Sequence, residues 1–483
     1  MRKKDGLTIF DFFMIGFGAI IGIGWALYVN SWIARAGGVV PTILGYIAGT
    51  LICVPVAMCY AELTPMLRVS GGVVAYGQRA FGPKFSFAGG WMLCVGYTSA
   101  CMWEALFLCD VTAMIIPGLT SGDPIYTIAG YGIYPATLII GLVVTLIVML
   151  INLHGATGTA KFQNVLSITL IATAVIAVIV LLTKADFANM QPIYQSIEGY
   201  SHTSIWGGIL ACMMVVPFFM GGIDCIPPGI EDASSNTNYK RLGSAIVFCI
   251  LAVGLFYVLV IFACGVAVPW LDFVDYATPA APNIFLSGIY SAGVGKVAYV
   301  ILLVSVLTGL VTTLNAVFYA LSRMYLSMAR ARLLPAWFGK LHPKYGTPSN
   351  AIYFITFTIS IGVFLGLGLI DPLTQVISIC YLTSWGISCL SVARLRKTEP
   401  NLARPYKIPG GAATAWFAGL ICAAWAVVGF IPALPSWMGK VGLWVCIVAI
   451  VVGIIFYNAS SKYRNAVSDE ERCKHIFAAM EKK

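Results

Sequence analysis

About twelve long apolar stretches divide the 483-residue sequence, near residues 12–35, 40–66, 85–116, 133–153, 163–183, 204–230, 242–268, 294–322, 350–370, 373–393, 413–431 and 438–458. Each is long enough for a helix to cross the hydrocarbon core of a bilayer, which takes about 20 residues. A closed β-barrel would instead show alternating segments of about ten residues. Composition agrees: 59% of the residues are apolar and 10% charged, whereas soluble proteins carry about 25% charged residues. Too little polar surface is available to cover a soluble core. The connections are short, the longest about 27 residues, which argues against a receptor enzyme, a kinase fusion or an ATP-driven pump. The predicted fold class is an all-α polytopic membrane protein of about 12 transmembrane helices, with residues 1–483 forming one membrane domain.

The net charge of +10 would point to nucleic acid in a soluble chain. Here its distribution carries the information. With an even number of spans both termini share a side. Of the 29 Lys and Arg residues, 25 fall on that side; only Arg35, Lys184, Lys296 and Lys440 fall on the other. The positive-inside rule places both termini in the cytoplasm of a plasma (inner) membrane protein. The charge is thus an orientation signal and an attraction to anionic lipid, with no nucleic-acid partner expected. No cleavable signal peptide is evident after Met1. Thirteen of the 14 Cys lie in apolar stretches and no CxxC occurs, so they read as small buried residues. The four His are scattered and form no metal-ligand spacing. The tail 461–483, with Ile476, Phe477 and Met480 among charges, reads as a short surface helix.

Two spans are poor helices. Span 1 carries Gly16, Gly18, Gly22 and Gly24 at mid-span, and span 6 carries Pro217, Gly221, Gly222, Pro227 and Pro228. Glycine and proline weaken helix interiors, and freed backbone groups survive in a membrane only where they are buried in protein or line a cavity. Interrupted spans at matching positions of two halves point to a binding site at the bilayer midplane. Gly16-x-Gly18 lacks the spacing and the preceding strand of a dinucleotide loop. Gly18 to Gly22 also reads as a GxxxG helix-packing motif, but span 6 repeats the feature.

Further signatures run along the chain: Ala36-Gly-Gly38 and Pro41; Ala61-Glu-Leu63 with Gly71-Gly72 and Tyr76; Phe218 to Asp224 followed by Glu231-Asp232; Leu321-Ser-Arg-Met324, Met328-Ala-Arg330, Leu334-Pro335, His342-Pro343 and Gly346-Thr-Pro348; and Arg404-Pro-Tyr-Lys-Ile-Pro409. In these the sequence resembles the amino acid–polyamine–organocation (APC) superfamily of permeases, which have the leucine-transporter fold. The resemblance implies a 5+5 inverted repeat with broken helices 1 and 6 (first repeat about 9–185, second about 200–395), then helices 11 and 12 at about 410–460. It also implies a secondary active transporter, symporter or exchanger, of an amino acid or related amine.

The break in span 1 leaves N–H groups at the positive end of its second half, suited to a substrate carboxylate; Gly22, Ile23 and Gly24 are the expected donors. The break in span 6 frees carbonyls at Phe219, Met220 and Gly221, suited to an ammonium. Trp25 and Phe218 are large enough to occlude the site, and Phe218 matches the position of a gate aromatic in the family. Acids within spans are costly and functional by default. Asp224 follows the span 6 break and matches a family acidic position, to sense protons, face the amine or serve as a structural hydrogen-bond partner. Glu104 in span 3 has no basic residue near it in sequence and reads as a ligand for a proton or a cationic substrate, or as a partner of Tyr, Thr or Trp donors. Asp110 lies nearer the outer surface, and Glu62 is expected to pair with the basic 2–3 loop.

No cofactor is called for; a coupling proton or sodium ion is the candidate additional ligand. Some family members carry a lysine midway along span 5, whereas here Lys161 stands at its start. Thr312 and Thr313 in span 8 match paired hydroxyls that related sodium transporters use, and Asn315 lies one turn on. Two other functions fit interrupted spans: transport of a cationic amine lacking a carboxylate, such as a polyamine or ethanolamine, and a channel or nutrient sensor that binds but does not move solute. No His cluster, paired carboxylates at fixed spacing or nucleophile motif supports an enzyme.

Overall fold

The computed structural model describes residues 6–22, 24–128, 131–198, 202–274, 296–366, 370–432 and 438–481. Among the described residues the architecture is helical apart from a short antiparallel pairing of Tyr126–Ile128 with Tyr131–Ile133, in a connection where no strand was expected, and an isolated parallel bridge between Leu7 and Ala233. Among the described residues, ten helices are long and apolar enough to cross a membrane. The shorter apolar helices Ser349–Val363 and Ala412–Val428 stand where spans 9 and 11 were read. Large apolar side chains such as Leu51, Val165, Leu255 and Ile455 are about 60% exposed, a surface that water would not tolerate and lipid does. The protein is an integral membrane protein.

Span 2 (Val39–Met66) lies along span 7 (Tyr239–Ala267), span 3 (Pro83–Ile115) along span 10 (Ile370–Thr398), and span 5 (Ala156–Leu182) along span 8 (Lys296–Arg330). Span 1 is wedged against spans 5, 7 and 8. Its first half, Ile9–Ile20, starts from a capping box: Thr8 Oγ1 accepts from the Asp11 amide at 3.2 Å, and the Asp11 carboxylate accepts from the Thr8 amide at 2.7 Å. Such a cap satisfies two helix-end donors reciprocally. Twelve of the 14 cysteines are buried and all are free thiols.

At the end of the molecule that carries the two described chain ends, ion pairs tie the elements together. Glu231 meets Arg330 at 2.9 Å and accepts from the Ser70 amide at 2.8 Å. Asp232 meets Arg323 at 2.9 Å, and Arg79 meets Glu399 at 2.7 Å. Glu62 departs from expectation. It pairs with Arg396 at 2.5 Å and Arg404 at 3.3 Å and accepts from the Ile408 amide, all around the end of span 10, and not with the 2–3 loop. Sequence proximity favoured the 2–3 loop, but the packing of span 10 against span 2 brings the arginines closer. The tail also exceeds expectation: its helix Asp469–Glu481 buries Ile476 and Phe477, and Arg79 stacks over the Phe477 ring at 5.0 Å.

Candidate functional site

Both glycine-rich spans are interrupted, and the interruptions touch. Span 1 leaves its first helix at Ile21, whose ψ of 84° is not helical, and resumes at Gly24–Leu27. Tyr28 carries the chain on into Val29–Ala36. Span 6 runs as Ile205–Met213 and Val216–Phe219, breaks, and continues only as 3-10 turns at Ile223–Cys225 and Pro227–Asp232. Pro227 and Pro228 have no N–H to donate to an α-helix, which accounts for the irregular second half. Gly222 has φ +131°, a conformation that side chains rarely adopt, and a Cβ there would lie 2.8–3.0 Å from Ile20 and Ala19. The two breaks therefore pack backbone to backbone.

The carbonyls freed by the span 1 break have named partners. Thr313 Oγ1 of span 8 donates to the Gly18 carbonyl at 3.0 Å, and Tyr257 OH of span 7 donates to the Ile20 carbonyl at 3.3 Å. The Gly309 backbone of span 8 comes so near that a Cβ on it would stand 2.8 Å from the Gly22 oxygen. These contacts answer the accounting that a helix end inside protein demands.

Between the breaks lies a partly open cavity. Span 1 contributes Gly22 and Gly24, span 3 Trp103 and Glu104, span 6 Phe218, Phe219 and Gly221, and spans 7, 8 and 10 contribute Tyr257, Thr313 and Tyr381. Phe219 packs directly on Gly24, where a Cβ would lie 2.6 Å from its ring. Above it the aromatics form a continuous layer: Phe219 with Trp32 at 4.6 Å, Phe218 with Phe219 at 4.7 Å, and Trp103 with Phe107 at 4.4 Å. A mostly apolar lining with a few convergent polar groups is the usual chemistry of a small-molecule site.

The sequence profile of the family described as amino acid permease matches residues 7–456, nearly the whole chain and both interruptions. The chain belongs to the amino acid permease family. The permease is 26% identical over 424 residues to the branched-chain amino acid permease BcaP of Bacillus subtilis, covering 87% of each chain. It is 24% identical over 461 residues to the methylthioribose transporter of Bacillus subtilis, covering 92% of each. It is 25% identical over 416 residues to that organism's aspartate-proton symporter, covering 84% of this chain and 76% of the relative. It transports amino acids and is not an enzyme.

Of the residues singled out in the sequence, the permease brings Gly22, Gly24, Phe218, Phe219, Gly221, Glu104 and Thr313 to the cavity. Ile23 lies outside the described residues. Trp25 is buried away from it, edge-on to Phe256 at 5.6 Å. Met220 is fully buried and does not line it. Asp224 sits below the break: its Oδ1 accepts from the Gly222 amide at 3.1 Å, and Tyr97 and Trp385 face it. Thr312 Oγ1 donates to Gly309 of its own helix at 2.7 Å. Asn315 belongs to a buried amide ladder, donating to Gln163 Oε1 at 2.8 Å and accepting from Asn152 Nδ2 at 3.1 Å, which joins spans 4, 5 and 8.

Sequence reading missed Trp103, Tyr257 and Tyr381. Trp103 directly precedes Glu104, so the acid itself pointed to it. Tyr257 and Tyr381 carry no sequence signal that separates them from the permease's other tyrosines; only helix packing turns them inward.

Proposed function

We propose that the permease is a secondary active transporter that moves an amino acid by alternating access, the substrate binding between the interruptions of spans 1 and 6. The observation that carries this reading is the direct packing of the Gly222 backbone on Ala19 and Ile20 beside a cavity that both interruptions line. The start of the second half of span 1 offers a positive helix end to the α-carboxylate, and carbonyls near Phe219 and Gly221 suit the ammonium. The apolar side chain lies against Trp103, Phe218 and Ile377. The two repeats, about 9–185 and 200–395, would supply the bundle of spans 1, 2, 6 and 7 that rocks against spans 3, 4, 8 and 9. The basic face is cytoplasmic on the positive-inside rule, so the ion pairs of Glu231, Asp232, Arg323 and Arg330 close the cytoplasmic side. Homology to transporters of branched-chain and aromatic amino acids supports an amino acid as cargo.

The test is uptake and counterflow of a radiolabelled amino-acid panel in proteoliposomes, with pH and sodium gradients imposed separately. Counterflow of at least one amino acid is expected. Specific binding without counterflow for the whole panel would make the protein a sensor and overturn the reading.

A further inference from the structure

The cavity holds an acid at the place where the transport reading puts a substrate's own carboxylate. A Cβ on Gly22 would stand 2.6 Å from Glu104 Oε1 and 2.9 Å from Thr313 Oγ1, so one corner gathers the span 1 backbone, a hydroxyl and a carboxyl. Glu104 is 4% exposed, and its Oε2 makes no hydrogen bond among the described residues. The titratable groups that face it are Tyr257 from span 7 and Cys101 on its own span, with Tyr381 of span 10 across the cavity. Spans 1, 6 and 8 present Gly22, Gly24, Phe218, Phe219, Gly221 and Thr313, none of them charged. Among the described lining residues there is no Lys, Arg or His to neutralise Glu104. Asp224, which faces Tyr97 and Trp385, does not line the chamber.

Two carboxyl groups in contact within such a chamber cannot both be ionised; one proton must be held between them. We propose that Glu104 takes up a proton with each amino acid and, as the neutral acid, donates a hydrogen bond to the substrate carboxylate at Gly22 and Gly24. This inference rests on the transport reading above. The cycle balances simply. The Glu104 carboxylate gains a proton from water on the loading side, and the zwitterion binds. After the site opens on the other side, the substrate leaves and the proton passes from Glu104 to water there. The zwitterion is neutral, so each cycle moves one positive charge.

The experiment compares wild type, Glu104→Gln and Asp224→Asn in proteoliposomes, using the panel amino acid that wild type exchanges best. Wild type is expected to accumulate it in response to an acid exterior, with one proton entering per amino acid by an internal pH dye. Its KM should rise by up to about tenfold per pH unit on the alkaline limb. Glu104→Gln, a permanently neutral donor, should show slower counterflow whose KM is flat across pH, and no acid-driven accumulation; Asp224→Asn should keep the pH slope. A pH-independent KM or zero proton entry in wild type overturns the proposal even if the variant fails to fold. So does an unchanged slope in Glu104→Gln. Ethanolamine or putrescine inhibiting wild type more strongly at alkaline pH, and not Glu104→Gln, would assign the carboxylate to an ammonium and overturn it as well. Loss of all wild-type counterflow would instead remove the transport reading itself.

Discussion

Arg323 of span 8 grips Asp232 at the end of span 6 through two nitrogens, Nη2 at 2.9 Å and Nε at 3.1 Å, both on the same Oδ2. Tyr319 OH donates to that oxygen at 3.1 Å, and the guanidinium lies over the Tyr319 ring at 3.5 Å. Arg323 is buried while Asp232 is partly open. Removing the acid alone strands a buried cation. Asp232→Asn is expected to cost about 3 kcal/mol, read as a lowered thermal midpoint, and to raise the accessibility of Cys225 to a thiol reagent added from the basic face. An unchanged midpoint together with unchanged labelling would show that the pair does not hold this face closed.

Gly22→Leu and Gly221→Leu should abolish uptake without loss of expression. A Cβ at Gly22 already crowds Glu104 and Thr313, and one at Gly221 runs into the Tyr381 ring. Gly158→Ala is the control. It sits near the start of span 5 with nothing within 4 Å of its Cβ position, so the added methyl should be neutral or stabilise by up to about 1 kcal/mol. Normal uptake in both leucine variants would sink the site assignment.

Tyr257→Phe and Thr313→Val each delete one donor to a carbonyl freed by the span 1 break. Losing the Thr313 donor to the buried Gly18 carbonyl costs about 1–3 kcal/mol, whereas the Ile20 carbonyl keeps the Gly22 amide at 3.1 Å, so Thr313→Val should lower thermal stability more than Tyr257→Phe, and both should reduce uptake. Sodium titration separates two roles for Thr313. If the hydroxyl only holds the Gly18 carbonyl, the residual uptake of Thr313→Val keeps whatever sodium response wild type has. If it ligates a coupling ion, that response disappears.

Hydrogen bonds from the Arg79 guanidinium hold Glu399 below the usual carboxylate range. A lowered folded-state value means that the pair contributes stability above the unfolded carboxylate range and loses it as pH falls through the folded one. Both side chains are partly solvated, so the effect is small and weakened by salt. Thermal midpoints measured from neutral to acidic pH should converge for wild type and Arg79→Gln at the acid end and separate toward neutrality. A constant gap across that range would mean that Arg79 acts through its stacking on Phe477 alone.

Much of the candidate site was legible because membrane insertion imposes strong local rules. Apolar runs of 19 or more residues had to become helices, since lipid cannot satisfy a bare backbone. Glycines and prolines at the middle of spans 1 and 6 had to interrupt them, and the structure places Gly22, Gly24 and Gly221 on one cavity. Glu104 stood out as an acid where charge is rare. In each case the signal is the cost of a residue in its own segment.

Tertiary structure alone decided the partners. Glu62 chose Arg396 and Arg404 over the nearer 2–3 loop because span 10 packs beside span 2. Asn315 turned toward Gln163 and Asn152, and Trp25 toward Phe256, while Tyr257 and Tyr381 turned to the chamber. A side chain's cost in lipid is fixed by its own residue type and depth, so the sequence determined the spans, their breaks and the exceptional acid. Which face of a helix meets which neighbour depends on contacts between segments hundreds of residues apart, so only the packed fold determined what Glu104 faces.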